Sequence, residues 1–327
     1  MPTVSADILE NNLSEQYPEA FTQLLLDHTT QKNIFWATDD YKSLGKGFRY
    51  HDEILKENIT GNYGTIIKPR VLKSKEDQTG RVKNMAEVFT PSWICNAQNN
   101  LVDEAWFGRP DVFNVEDPAN HSWQTTPSPV TFPEGKTWRD YVRATRMEIT
   151  CGEAPYLVSR YDATTGKFIP LTERIGLLDR KLRVVSENVH TSGEWLKWAQ
   201  TAYQNIYGYE WQGDSLLLAR EALLISFIEY FENKFGRKPL KKSINFIAYI
   251  ISWNLWQMDG LKGVVPDSCH TRIVKSEGLF DGQKETFIEC PGCEANKIHL
   301  HNGIKCLIRD WKKPKDSQKQ EFHKSIR

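Results

Sequence analysis

Net charge is the first thing this sequence lacks: 42 Lys and Arg stand against 42 Asp and Glu in 327 residues. A polybasic arm is excluded, so any polyanion must be held by local patches. A bilayer-spanning run of about 20 apolar residues is missing too. The most apolar window, Ile244 to Trp256, is broken by Asn245, Ser252 and Asn254, and no membrane segment is expected. The stretch Met1 to Glu19 is acidic and has neither the basic nor the apolar region of a secretory signal. Cysteine is sparse, at six residues, which points to reduced thiols and a cytoplasmic location rather than a disulfide framework. No two of the fifteen prolines are adjacent. Repeats and low-complexity tracts are also wanting. Aromatics are abundant, with 11 Trp, 12 Tyr and 15 Phe, enough to furnish a large folded core.

Along the chain, Phe21, Leu24 and Leu25 share one helical face in a helix-and-loop region over residues 14–60. The charged run Lys73 to Asp77, followed by Gly80, reads as an exposed loop and puts a boundary near residue 80. Five prolines between Gly108 and Thr137 predict a long irregular connection. A strand is expected to end near Glu148, with a turn and restart through Thr150 to Pro155. Helical spacing returns from Gly193, then Ile206 to Glu210 reads as a short buried strand. Asp214 suits a helix N-cap, with a helix over Ser215 to Phe235 stopped by Gly236. Ile244 to Leu255 and the turn Met258-Asp259-Gly260 follow. Alternating strands and helices predict an open α/β sheet. The expected segments are a helical or irregular region 1–80, an α/β domain 81–275, an insertion with a return strand 276–311, and a basic tail 312–327. The last nineteen residues carry seven Lys/Arg against three Asp/Glu, as a frayed or partner-binding end would.

Four fragments could carry chemistry. In Phe89-Thr90-Pro91, proline fixes a turn and opens a helix; a simple helix start has the same signature. In Glu148 to Leu157, Cys151-Gly152 allows close backbone approach to a ligand. Glu210 ends a buried strand, where a carboxylate can accept both hydroxyls of a ribose or only make surface hydrogen bonds. Asp259 follows Trp253, Trp256 and Met258, either as an acceptor for an adenine amine between apolar faces or as a plain turn residue. The 58 residues from Gly152 to Glu210 exceed the roughly 20 of a dinucleotide fingerprint.

Taken in order over about residues 85–311, these fragments resemble the gamma-type adenine-N6 DNA methyltransferases of restriction-modification systems, which include type I modification subunits and fused type II restriction-and-modification enzymes. The resemblance implies an incomplete Rossmann-like S-adenosylmethionine methyltransferase sheet. Phe89, Thr90, Pro91, Glu148, Cys151, Gly152, Glu210 and Asp259 take the cofactor-binding places. It departs from the family in Glu148 for Asp, and in Ala154-Pro155 where the family has glycine. The Asn-Pro-Pro-Tyr catalytic loop is absent, so no catalytic residue is expected in this chain. The resemblance therefore implies a split enzyme, inactive alone, acting on double-stranded DNA with a companion polypeptide that supplies the loop and the target-recognition region. The alternative is a non-catalytic, zinc-containing DNA-binding or scaffold subunit of a phage-defence complex.

A fifth constellation stands on spacing alone. Cys290-Pro291-Gly292-Cys293 aims two sulfurs at one point, and His301 with Cys306 would complete a tetrahedral structural Zn²⁺ site. His299 could replace His301, and a reduced Cys pair on a hairpin is the plainer reading. Cys95 is expected in the core, and Cys269-His270 is not a nucleophile and base pair.

Overall fold

The computed structural model describes residues 10–85, 90–277 and 283–326. Two short helices open it, α1 (Glu10–Gln16) and α2 (Pro18–Leu25), followed by the minimal pair β1 (Leu26–Asp27) and β2 (Lys32–Asn33). Phe21, Leu24 and Leu25 are all buried, as their spacing predicts. The expected loop around Gly80 is instead helix α3 (Lys75–Met85). Its apolar content is too low for a sequence signal; Arg81 anchors it, buried and paired with Asp40 and Asp214. Helix α4 (Ser92–Phe107) begins after Pro91 and stops at Gly108, whose left-handed φ of 72° lets its N–H reach the Glu104 carbonyl. The proline-rich connection contains a hairpin of β3 (Asn114–Asp117) and β4 (Ser122–Thr125). A capping box of Thr137 and Asp140 starts α5 (Trp138–Arg143).

Three parallel strands form the central sheet: β5 (Arg146–Glu148), then, after α6 (Leu177–Asn188) and α7 (Ser192–Tyr203), β6 (Ile206–Glu210). Helices α8 (Gly213–Phe235) and α9 (Lys241–Asn254) lead to β7 (Leu255–Gln257). Their order is β5-β6-β7, with Glu148 opposite Gly208 and Glu210 opposite Gln257. Parallel pairing needs such crossovers, and the helices cover the sheet with apolar faces. Asp214 lies inside the first turn of α8 rather than capping it, because its carboxylate is taken by Arg81, Lys73 and Tyr41.

The N-terminal residues belong to the same core. Phe21, Leu24 and Trp36 pack in one cluster with Leu216, Leu223 and Ile247. Fully buried Arg220 on α8 ties them to the sheet, donating to the carbonyls of Leu24, Leu26, Ser252 and Leu255. Beyond β7 come the ribbon β8 (Arg272–Glu277) and β9 (Gln283–Ile288), then α10 (Pro291–Ala295). The C-terminal residues are not frayed: β10 (Leu307–Arg309) pairs with β11 (Lys319–Glu321), and buried Phe322 packs on Tyr209 and Trp256. Among the described residues no helix is long and apolar enough to cross a membrane.

Candidate functional site

The parallel sheet brings three acids to its carboxyl edge. Glu148 ends β5, Glu210 ends β6, and Asp259 lies just beyond β7. Successive positive φ values at Thr150 (48°), Gly152 (52°) and Ala154 (60°) fold the chain tightly after β5. Two of the three are residues that pay for this conformation. The turn is held against β6: Cys151 donates its N–H to the Tyr209 carbonyl at 2.8 Å, and Gly152 donates to Oε2 of Glu210 at 2.8 Å. Oε1 of Glu210 accepts from the N–H groups of Trp211 (2.9 Å) and Gln212 (3.3 Å).

Glu148 is more deeply set. Oε1 accepts a long bond from the Tyr156 N–H, 3.4 Å, while Oε2 has no hydrogen-bond partner. Burial holds this carboxyl well above the usual range, against the pull of the Tyr156 and Leu157 N–H groups and with nearby Glu210 adding to the rise. Cys151 is likewise buried, and burial followed by the two glutamates pushes its thiol up. Its sulfur would lie only 3.3 Å from a Cβ at Gly208.

Phe89 lies outside the described residues. Thr90 stands next to Tyr156, whose hydroxyl interacts with the Thr90 side chain. Pro91 borders a cavity of about 580 Å³ whose walls include Trp93, His121, Trp123 and Phe168. Trp93 and His121 stack there, with centroids 4.4 Å apart. Asp162 on its wall is spent on the N–H groups of Ser92, Thr164 and Thr165. Sequence reasoning brought neither Tyr156 nor this cavity to light.

Asp259 is buried and committed to its own turn. Its carboxylate accepts from Leu261 N–H (3.0 Å) and Lys262 N–H (3.2 Å) and meets Lys262 Nζ at 3.3 Å. Segment 35–50 closes over this edge. Gln257 exchanges side-chain bonds with the Phe35 backbone, and Tyr50 receives a bond from Trp211 and donates one to Asp267.

No family model, curated protein or solved structure matches this chain.

The second cluster is made of Cys269, Cys290, Cys293 and His301, whose ligand atoms lie within 4.8 Å of one another. This corrects the ligand set expected from sequence. Cys306 is buried elsewhere, its sulfur 3.5 Å from the Gln257 carbonyl, and Cys269 takes the fourth place. His301, not His299, supplies the nitrogen. Each sulfur lies 3.6 Å from Nδ1 of His301. Bonds of about 2.3 Å to sulfur and 2.0 Å to nitrogen around a tetrahedral zinc separate the two atom types by about 3.5 Å, so the set fits that ion.

The cluster sits at the base of the β8–β9 ribbon, since Cys269 precedes β8 and Cys290 follows β9. Gly292 is required because a Cβ there would overlap the backbone of His301. Desolvation opposes ionisation of Cys290, but the N–H groups of Asn302 and Cys293 and the His301 ring bring it down to about 6. Burial and then the other two cysteines push Cys269 up to about 11.

Proposed function

We propose that the chain is the S-adenosylmethionine-binding subunit of a restriction-modification adenine-N6 DNA methyltransferase, needing a companion polypeptide for catalysis. The carrying observation is the coupling of two neighbouring strand ends, where the Gly152 turn after β5 meets the Glu210 carboxylate after β6. Ligands of open α/β sheets bind in the crevice beyond the carboxyl ends of the strands. The residues fit the cofactor in one respect beyond sequence order: Oε2 of Glu148 is a buried polar atom without a partner, and such an atom suits a hydrogen-bonding ligand group.

In this reading Glu210 orients the ribose and Asp259 the adenine, while Glu148, Cys151 and Gly152, together with Thr90, Pro91 and, by sequence order alone, Phe89, receive the methionine portion. The bound cofactor supplies a methyl group on a sulfonium. The chain's own work is to hold it in place and shield it from water. The acceptor loop belongs to the companion. The outer edge of β5 has no partner strand among the described residues, and Met147 and Ile149 are exposed beside it; such an edge invites pairing. Zn²⁺ in the Cys269, Cys290, Cys293 and His301 set serves structure, because four protein ligands leave no open position.

One observation favours a second reading, the non-catalytic scaffold: Glu210 and Asp259 already accept backbone N–H groups that a cofactor would have to share. Calorimetric titration of S-adenosylmethionine into the zinc-loaded chain, and into its complex with the companion, separates the two. Saturable binding lost in Glu210→Ala and Asp259→Ala supports the methyltransferase subunit. No binding to either sample leaves the scaffold.

A further inference from the structure

None of Glu148, Cys151, Gly152, Glu210 and Asp259 lines the cavity of about 580 Å³ beside α4, so it is a separate place from the crevice of the sheet. Its size falls within the roughly 300–1,000 Å³ of small-molecule sites. Three elements wall it: the first turn of α4, the β3–β4 hairpin and the loop 162–170. They are tied to one another by hydrogen bonds. One oxygen of Asp162 accepts from the Ser92 N–H of α4 at 2.7 Å. Its other oxygen accepts from the N–H groups and hydroxyls of Thr164 and Thr165. From the hairpin, Trp123 Nε1 donates to the Glu173 carbonyl at 2.8 Å. His121 ends the hairpin turn in the left-handed region, φ 50°, which is costly for a residue with a Cβ. In that conformation its ring lies flat on Trp93, the planes 6° apart. The cavity is therefore shaped before any ligand arrives.

Its chemistry is that of flat rings with a charge at the rim. Trp93 comes from the helix, Trp123 from the hairpin and Phe168 from the loop. Fixed aromatic rings select a flat ligand, and stacking on such side chains is how unpaired nucleobases are held. Asp162 spends its charge on the donors above. Lys167 is the only Lys or Arg among the lining residues, is exposed, and has no ion-pair partner among the described residues; an ammonium placed so suits a phosphate. The exposed Glu173 offers an acceptor to the amine edge of a base.

We propose that this cavity binds a nucleoside phosphate, with its base stacked on the Trp93, Trp123 and Phe168 rings and its phosphate at Lys167. The ligand is either a free nucleotide or an unpaired residue of a nucleic-acid strand, which share this chemistry. The site is distinct from that of the acceptor adenine, which belongs with the companion's loop, and the inference stands without the methyltransferase reading.

The test is calorimetric titration of guanosine 5′-monophosphate (GMP) and of guanosine into the full zinc-loaded chain. Guanine lacks the amine that Asp259 would accept in the crevice. GMP should bind saturably and more tightly than guanosine. Trp93→Leu, which keeps apolar bulk but removes the ring, should weaken both roughly tenfold, and Trp93→Phe should recover most of the loss. Lys167→Gln, an exposed change that leaves the fold intact even if Trp93→Leu does not, should bring GMP down to the affinity of guanosine and leave guanosine unchanged. Excess S-adenosylmethionine should not displace GMP. A 5′-phosphorylated single-stranded tetranucleotide that competes with GMP and binds more tightly identifies the ligand as a strand; one that does not compete identifies a free nucleotide. Absence of saturable GMP binding overturns the proposal. So do a folded Trp93→Leu chain of unchanged affinity, a Lys167→Gln effect equal on GMP and guanosine, or displacement by S-adenosylmethionine, which would put GMP in the crevice. If GMP binds as described and S-adenosylmethionine binds nowhere, the cofactor reading fails and this one stands.

Discussion

The N–H of Gly152 and Oε2 of Glu210 meet at 2.8 Å across the ends of β5 and β6. The same carboxylate also receives the N–H groups of Trp211 and Gln212, so it builds the turn. Truncation to alanine strands buried backbone donors, which costs about 1–3 kcal/mol. Glu210→Ala should shift the urea midpoint downward, and Glu210→Gln, which keeps an acceptor, should shift it less. An alanine variant as stable as the wild type would sink the role of this carboxylate as the anchor of the turn.

The corrected ligand set makes a second, sharper prediction. Cys269→Ser should lower zinc content well below one per chain, because the sulfur of Cys269 is one of the three at 3.6 Å from His301. Cys306→Ser should leave it at one, since that thiol is buried against Gln257. Elemental analysis of the two purified variants decides between the spacing-based and the spatial assignment, and the reverse pattern would return Cys306 to the site.

Why sequence reading reached one ligand set and the fold another is a matter of direction. Zinc-ligand spacing points downstream of Cys293, whereas Cys269 lies upstream, on the far leg of a hairpin that returns it to Cys290. The clue was Cys269-His270 ahead of a β-rich run, but only strand pairing gives it meaning. Elements written in local pattern were legible: β6 was read at Ile206 to Glu210, and α8 stops at Gly236, whose φ is 64°. Helix α3 was not legible, because Lys75 to Met85 has no apolar face. Its reason for being helical is Arg81, bonded to Asp40 and Asp214 far away in sequence. The burial of Phe322 was hidden for a similar cause, as charge composition does not reveal a strand such as β11 pairing back onto β10.

Glu148 makes stability depend on pH in the direction opposite to most carboxylates. Its folded-state pKa is raised by burial, so its favourable contribution is complete below the ordinary carboxylate value and is lost as pH rises toward the folded one. At pH 7 the folded chain pays either to keep this proton or to bury the charge. Glu148→Gln removes that term. It should raise thermal stability at pH 7–8, with the advantage shrinking as the pH is lowered toward 4.5. A variant no more stable than wild type at pH 8 would mean that Glu148 is not held neutral.

Asp214 is the opposite case. Desolvation alone would raise its pKa, but Arg81, Lys73 and the Tyr41 hydroxyl overcome that and hold it below the ordinary carboxylate range. Its contribution is therefore complete above the unfolded value of about 3.9 and is lost as pH falls through the folded one. Asp214→Ala leaves Arg81 and Lys73 buried without this partner, and breaking one side of a buried pair costs about 3–5 kcal/mol. Arg81 is also what recruits α3, so the loss should not be uniform. Protease cleavage after Lys75 or Lys83 should accelerate more than cleavage elsewhere, while α8 keeps its exchange protection. Equal acceleration at all sites would show that Asp214 supports the whole core, and unchanged cleavage would show that α3 is held by something other than this pair.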